Sequence, residues 1–337
     1  MAKQRIFSGI QPTGDLHIGN YFGALANWVK LQDEYDCVYG VVDLHAMTMP
    51  YDPQVLKTNT ENMVVDLLAA GLDPAKSIIC LQSLVPEHTE LYWMFSCLTP
   101  YGDLTRQTQF KDKSDQLDTS SGKEFVSAGL FTYPALQAAD ILVYLAGHVP
   151  VGKDQEQHLE LSREIARRFN MQFGELFPEP QVLSTSTPKI LSPADPTKKM
   201  SKSLGPKHYI GLFEDEASIR KKIRSAVTDS GDTPEGQMSS GVASLFELLY
   251  ACDKDDDAAS LKADYEAGTL RYVNLKDAVA TGLVELTGSL RERRAAIDKA
   301  DAMKQVAEMS DKARDIAANT VSHARKLMGL PARATHR

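Results

Sequence analysis

The sequence predicts an α/β fold: a doubly wound parallel sheet in the first part of the chain, then a helical part. Three observations predict it. Up to about Lys207, short apolar runs alternate with amphipathic segments, the pattern of strands covered on both faces by helices. Polar residues gather just beyond the ends of those runs, where open α/β sheets bind ligands. After Lys207 strand-like runs become scarce and helical periodicity takes over, so a domain boundary belongs there.

The first strand is centred on Ile6-Phe7. It enters a turn punctuated by Gly9, Pro12 and Gly14, and a helix over about 21–34 follows, with Phe22, Leu25, Ala26 and Val29 at helical spacing. Strand, glycine turn and helix start together make a phosphate cradle, because free N–H groups and the helix dipole point at one spot. Neither GxGxxG nor a closing GK[ST] is present, which removes the dinucleotide fingerprint and the P-loop. The second strand, 37–42, is continuously apolar and ends in Asp43-Leu44-His45. A helix over about 53–70, a strand over 77–82 and a helix over 87–98 follow.

The stretch 105–125 is different. It carries Arg106, Lys111, Lys113 and Lys123 around Ser120-Ser121-Gly122, and suits either a solvated loop or a lid with a phosphate-seeking lysine. In the next helix Pro134 suits a first turn. Tyr133 and Asp140, seven residues apart, share one face. Asp140 is the lone carboxylate of an apolar segment and needs a partner. A structural ion pair or cap and an acceptor for a ligand N–H fit equally well. The strand 148–152 and the helix opening at Lys153-Asp154-Gln155 make a second ligand-binding edge. The loop 198–206 packs Lys198, Lys199 and Lys202 with Ser201 and Ser203 before Gly205-Pro206. Movable positive charge with hydroxyl donors fits a triphosphate tail, although such a loop standing alone is usually a solvated surface.

The second part reads as helices over about 216–225, 241–252, 255–267 and one long stretch, 275–327. Asp253 to Asp257 reads as a solvated acidic loop. The basic groups around Lys221-Lys222, Arg291 to Arg294 and Arg325-Lys326 read, one by one, as exposed helix faces.

Composition sets the outer bounds. The 337 residues are 43% hydrophobic and 24% charged, ordinary for a globular enzyme. A net charge of −8 means that a nucleic-acid partner must meet a local basic face. The four cysteines form no CxxC pair, which argues against a metal centre or a disulfide framework. No run is long enough to span a bilayer. The N-terminus has no apolar signal core, so the expectation is a cytoplasmic protein without a resident metal.

Three separated motifs then combine. Pro12-Thr13-Gly14 with His17-Ile18-Gly19-Asn20 resembles the HIGH signature of the class I aminoacyl-tRNA synthetases in an Asn-ended form. Lys199-Met200-Ser201-Lys202-Ser203 matches their second signature, KMSKS, letter for letter. Ser8 to Pro12, Asp43 to Ala46, Tyr133-Pro134 with Ala138 to Asp140, and Val149 to Gly152 with Asp154-Gln155 and Gln157-His158 resemble the bacterial tryptophanyl-tRNA synthetases in particular. The resemblance covers nearly the whole chain.

It implies a Rossmann-like catalytic domain over 1–207 with a connective insertion at about 100–135. It also implies a helical anticodon-binding domain over 208–337, whose last helix packs back on the first domain. The implied reaction is ATP-dependent activation of L-tryptophan and its transfer to tRNA(Trp), in a homodimer, with Mg²⁺ held mainly by the ATP phosphates. By the same resemblance Lys199, Lys202, His17 and Asn20 would be catalytic. ATP would lie against Gln11, Pro12, Thr13, Gly19, Asn20, Gly152, Lys153, Asp154, Ile190, Lys199, Met200, Ser201, Lys202 and Ser203. Tryptophan would meet Asp140, Tyr133, Phe7, Gly9, His45 and Gln155. The chain departs from many relatives at Lys153, where an acidic residue is common, at Gln137, where Met is common, and over 115–121, which is longer. The nearest alternative, tyrosyl-tRNA synthetase, shares the architecture; the Gln11-Pro12-Thr13-Gly14 and Gly19-Asn20-Tyr21 contexts argue against it. Further alternatives are a non-catalytic tRNA-binding paralogue and an adenylate-forming enzyme without tRNA.

Overall fold

The computed structural model describes residues 3–106, 127–150, 152, 156–183, 188–229, 233 and 237–331. Among them, five parallel strands form one sheet in the order β3-β2-β1-β4-β5. They are β1 (Arg5–Ile10), β2 (Asp36–Val41), β3 (Ser77–Leu81), β4 (His148–Val149) and β5 (Gln181–Val182). Arg5 lies opposite Asp36 and Ile10 opposite Val41, while Cys37 to Val41 of β2 run beside Ser77 to Leu81 of β3. Strand alternation sends Ile6 into the core on one face, with Leu25 and Tyr39, and Phe7 into the other, with Phe95 and Tyr144. This two-sided burial is why the strands read as continuous apolar runs. The chain builds outward from β1 to β3, then returns to the other side of β1 for β4. The crevice beyond the carboxyl ends of β1 and β4 is therefore the switch point at which such sheets bind ligands.

The helix after β1 is α1 (Ile18–Asn20), a π-helical turn (Tyr21–Leu25) and α2 (Ala26–Leu31). It starts three residues ahead of the expected 21–34 because Asn20 reaches back: its Oδ1 accepts the His17 N–H at 3.0 Å and fixes the first turn. The short α3 (Asp43–Ala46) follows β2. Then come α4 (Pro53–Ala69), capped by Asp52, α5 (Glu87–Ser96) and α6 (Tyr101–Thr105). The loop lysines Lys111, Lys113 and Lys123 lie outside the described residues.

The next helix, α7 (Ala128–Leu142), begins at the Ser127 cap, whose Oγ accepts the Leu130 N–H at 3.0 Å. Pro134 therefore sits inside the helix and not in its first turn. The cap lies two residues past the stretch 105–125, ahead of the segment from which the helix is read. Helix α8 (Glu156–Phe173) lies between β4 and β5.

After two short 3-10 turns (Lys202–Leu204 and Pro206–His208), the described elements are all α-helices: α9 (Glu216–Arg224), α10 (Ser240–Ala251), α11 (Asp255–Glu266), α12 (Tyr272–Ala296) and α13 (Lys299–Leu327). The helix expected over 255–267 is α11, and it takes in Asp255 to Asp257 as a first turn whose carboxylates complement the helix dipole; of the acidic run read as a solvated loop, only Asp253 and Lys254 precede it. One expectation needs correction. The stretch 275–327 is two helices. Ile297 is extended (φ −88°, ψ 120°), and Asp298 caps α13 by accepting the Asp301 N–H at 3.0 Å. Helix α13 returns to the sheet edge. Its Ser310 Oγ accepts the Leu81 N–H of β3 at 3.0 Å, and Arg314 and Arg325 meet Glu87 and Glu90 of α5.

Candidate active site

The site forms where the end of β1 meets the loop 198–208. Gly14 turns the chain with φ +105°, a conformation open to glycine, and a Cβ there would lie 3.3 Å from Lys202 Nζ. Gly19 is tighter. A Cβ would meet His17 Nδ1 at 2.9 Å, so the His17 ring lies over this turn only because Gly19 has no side chain; Met200 Cβ, at 3.5 Å, would be in ordinary contact. Asn20 uses its amide oxygen on the His17 N–H, which leaves its amide nitrogen as a donor for an anion.

His17 is buried, and its Nδ1 has no hydrogen-bond partner among the described residues. Burial, then the charges of Lys202 and Lys199, pull its pKa down to about 4, so it is a neutral imidazole at pH 7. Lys202 spans the gap between the segments. Its Nζ donates to the carbonyls of Thr13 at 3.2 Å and Asp15 at 2.9 Å. Burial lowers its pKa, opposed by the Asp15 carboxylate. Lys199 is exposed and Met200 buried, with the Met200 N–H donating to the Ile190 carbonyl at 3.1 Å. The Ser201 and Ser203 hydroxyls are 2.9 Å apart. The strand-like segment that follows is stitched to the first turn: Ile18 N–H donates to the Ile210 carbonyl and Leu212 N–H to that of Leu16. The N–H groups of His17, Ile18, Asn20 and Tyr21 are taken up within the protein, so the Gly19 N–H, the Asn20 amide and the lysine charges are what this turn offers a phosphate.

A second, buried cluster lies beside it. Asp140, 1% exposed, accepts at Oδ1 from Gln82 Nε2 and His88 Nδ1, each at 2.7 Å, and at Oδ2 from His45 Nε2 at 2.8 Å. Burial works against its charge, but His45 and His88 outweigh it and hold the carboxyl at about 2. Tyr133 packs edge-on to His45, with ring centroids 6.2 Å apart, and its hydroxyl meets His158 Nε2 at 2.9 Å. Phe7 stacks on Tyr144 at 5.5 Å, and Gly9 lies exposed at the open end of β1. Aromatic walls around one anionic acceptor suit a flat ring that carries an N–H.

The family model described as tRNA synthetases class I (W and Y) matches residues 1–287. The chain is 42% identical to the tryptophan–tRNA ligase of Caldanaerobacter subterraneus subsp. tengcongensis, across 97% of this chain and 98% of that protein. The chain belongs to the tryptophanyl-tRNA synthetase family. It is also 44% identical to tryptophan–tRNA ligase 2 of Streptomyces avermitilis, with 98% of each covered. A crystal structure of the Campylobacter jejuni tryptophanyl-tRNA synthetase, complexed with ADP and tryptophan, superposes with a TM-score of 0.83 at 33% identity. It covers 97% of this chain and all of that one.

In this synthetase the two signatures, far apart in sequence, meet through Lys202. His45, Tyr133 and Asp140 meet in the buried cluster, and Phe7 joins it through Tyr144. Gly152 is exposed beyond β4, while Lys153, Asp154 and Gln155 lie outside the described residues. Sequence reading missed Gln82, His88 and Tyr144. Gln82 stands just past the end of β3, so the strand-end rule that picked out His45 also reaches it. His88 and Tyr144 sit within helical or apolar context and give no local signal.

Proposed function

We propose that this synthetase activates L-tryptophan with ATP and transfers the tryptophanyl group to tRNA(Trp), releasing diphosphate and AMP. The tryptophan carboxylate attacks the α-phosphorus, diphosphate leaves, and a terminal ribose hydroxyl of the tRNA then displaces AMP from the adenylate. No enzyme nucleophile is required; positioning and charge stabilisation carry the rate. The observation that carries this reading is Lys202 Nζ seated between the Thr13 and Asp15 carbonyls, where a departing diphosphate would take over as its partner.

Each role rests on a local feature. Neutral His17, the Asn20 amide and the Gly19 N–H would hold phosphate and adenosine, with Gln11, Pro12 and Thr13 lining the cleft. Lys199 and Lys202 would neutralise the leaving diphosphate, with Met200, Ser201 and Ser203 shaping the loop. Ile190 gives its carbonyl to Met200, which leaves its N–H for adenine. Gly152, Lys153 and Asp154 would meet the ribose. Mg²⁺ would ride on the phosphate oxygens of ATP, which suit it better than the lysine-rich cleft mouth does. Asp140 would accept the indole N–H, Phe7 and Tyr133 would flank the ring, and Gly9, His45 and Gln155 would complete the pocket. A substrate without that N–H leaves a buried carboxylate short of a donor, the kind of mismatch that costs factors of ~10⁴–10⁵.

We assign the helices after residue 207 to the tRNA anticodon, supported by the exposed basic side chains Lys221, Arg224 and Arg293 in their last turns. We assign a homodimer to the face of α5, α6 and α8 that leaves Trp93, Tyr101 and Met171 68%, 74% and 87% exposed. No helix among the described residues is long and apolar enough to cross a membrane. The cytoplasm, where ATP and tRNA meet, is the assigned location. Charging of tRNA(Trp) transcript with labelled tryptophan tests the function; acceptance of tyrosine in its place would overturn it.

A further inference from the structure

We propose that Tyr144 and His88 form a hydrogen-bond relay that orders the protons around Asp140, making both of them positioning residues for tryptophan. The proposal deepens the reading of Asp140 as acceptor of the indole N–H and rests on it.

The relay is a single file of polar atoms inside an otherwise apolar core. Asp140 Oδ1 is 2.7 Å from His88 Nδ1. His88 Nε2 is 2.8 Å from Tyr144 Oη, and Tyr144 Oη is 3.7 Å from Cys80 Sγ. Asp140 and His88 are each 1% exposed, Tyr144 and Cys80 fully buried. Water cannot replace a lost partner here, so each atom must be matched within the file.

The directions of the bonds follow from the Asp140 anion together with the single-proton His88 ring that the relay assigns. Asp140 is held as an anion and only accepts. His88 Nδ1 must then carry the proton and donate. A neutral ring with Nδ1–H has a bare Nε2, which needs a donor. Tyr144 supplies it, since burial, the largest of its influences, raises its pKa well above the usual value and keeps the hydroxyl protonated. The Cys80 thiol then donates to the tyrosine oxygen. Tyr144 thereby selects the histidine tautomer that donates to Asp140.

Gln82 and His88 occupy Oδ1, while Oδ2 receives only His45 among the described residues, so one lone-pair direction of Oδ2 stays open for the indole. If Tyr144 loses its hydroxyl, His88 Nε2 is stranded. The ring then takes the other tautomer, setting a bare Nδ1 against the carboxylate, or it takes a second proton and draws the carboxylate charge away from the indole. Either way the acceptor is spoiled although no atom touching tryptophan has changed. Tyr144 has a second hold on the pocket. Its ring stacks on Phe7 at an interplanar angle of 19°. A phenylalanine keeps that stack and removes only the relay.

The test compares tryptophan with its benzothiophene analogue, in which sulfur replaces the indole N–H, in ATP–pyrophosphate exchange. Wild type is assayed first: absence of tryptophan-dependent exchange there would sink the proposed function itself, not the relay. Tyr144→Phe is expected to raise KM for tryptophan about tenfold. KM for ATP should stay within about twofold. Preference for tryptophan over the analogue should fall by the same factor as tryptophan recognition, because the analogue never uses Oδ2 as acceptor.

A purely structural role would lower Tm or slow both substrates alike and leave the preference unchanged, which would overturn the relay. His88→Asn places an amide N–H where Nδ1 stood, whereas His88→Leu places no donor there. The first should hold KM for tryptophan within about threefold of wild type, the second should raise it about thirtyfold or more. Equal losses in the two would overturn the relay even if Tyr144→Phe does not fold.

Discussion

Lys202 is held in the free enzyme by two backbone carbonyls, and those are weaker partners than a developing diphosphate charge. Its contribution should therefore appear late in the reaction. Lys202→Ala is expected to lower the rate of adenylate formation by a factor of about 10²–10³ with little change in ground-state ATP affinity, measured by pre-steady-state burst kinetics. An effect confined to KM would contradict this role.

His17 gives a pH prediction. Its folded pKa, about 4, lies below the ordinary histidine value, so the folded chain binds this proton less readily than the unfolded one. As pH falls from about 6.5 toward 4, protonation of the unfolded state withdraws stability, and none of that loss occurs above the unfolded pKa. Carbon-13 or proton NMR of the His17 ring should show a midpoint near 4 in the free protein. The midpoint should rise when ATP is added, since triphosphate charge opposes that of Lys202 and Lys199.

Asp140→Asn keeps the size but loses the anion that three donors converge on. Tryptophan use should weaken by about 30-fold or more, with ATP affinity within about twofold, in the exchange assay. At this scale the sequence was informative where motif and chemistry coincide, as at His17, Asn20, Lys199 and Lys202. It was silent at His88 and Tyr144, because a buried polar partner within an apolar segment looks like core until its neighbours are known.

Among the elements, α13 shows how the C-terminal half reaches the sheet. The edge strand β3 would leave the Leu81 N–H without an acceptor, and Ser310 supplies one. Ser310→Ala should cost about 1–3 kcal/mol by leaving a buried donor unmatched. Differential scanning calorimetry should then show a Tm lower by about 2–6 °C. An unchanged Tm would mean that α13 does not secure this edge.

Element types were largely legible, since burial on both faces writes itself as apolar runs and helical spacing recurs through both halves. The boundaries that slipped did so at caps. Ser127 starts α7 ahead of Pro134, Asn20 pulls the first helix back to Ile18, and Asp298 divides the last long stretch. A capping hydrogen bond involves two residues and costs one side chain its ordinary loop reading, so it is visible only once the backbone is placed. At Asp255 two readings overlap. Helical spacing places 255–267 in a helix while the acidic run suggests a loop, and the helix holds, with the three carboxylates in its first turn.

For the molecule as a whole, the arrangement to explain is the meeting of two distant segments over one crevice. Strand order places the end of β1 at the switch point, the backbone pairing of 16–18 with 210–212 fixes the second loop above it, and Lys202 closes the gap. Sequence alone named both halves through their resemblance to one family, but the stitching itself has no sequence signature, because backbone groups carry it. The aromatic and anionic cluster around Asp140 is the place we propose for recognition of the other substrate. One measurement reaches all of this together: ATP–pyrophosphate exchange with each of the twenty amino acids in turn, using the full chain. Exchange supported by tryptophan and not appreciably by any other amino acid is the expected result; faster exchange with tyrosine, or none with any amino acid, would contradict it.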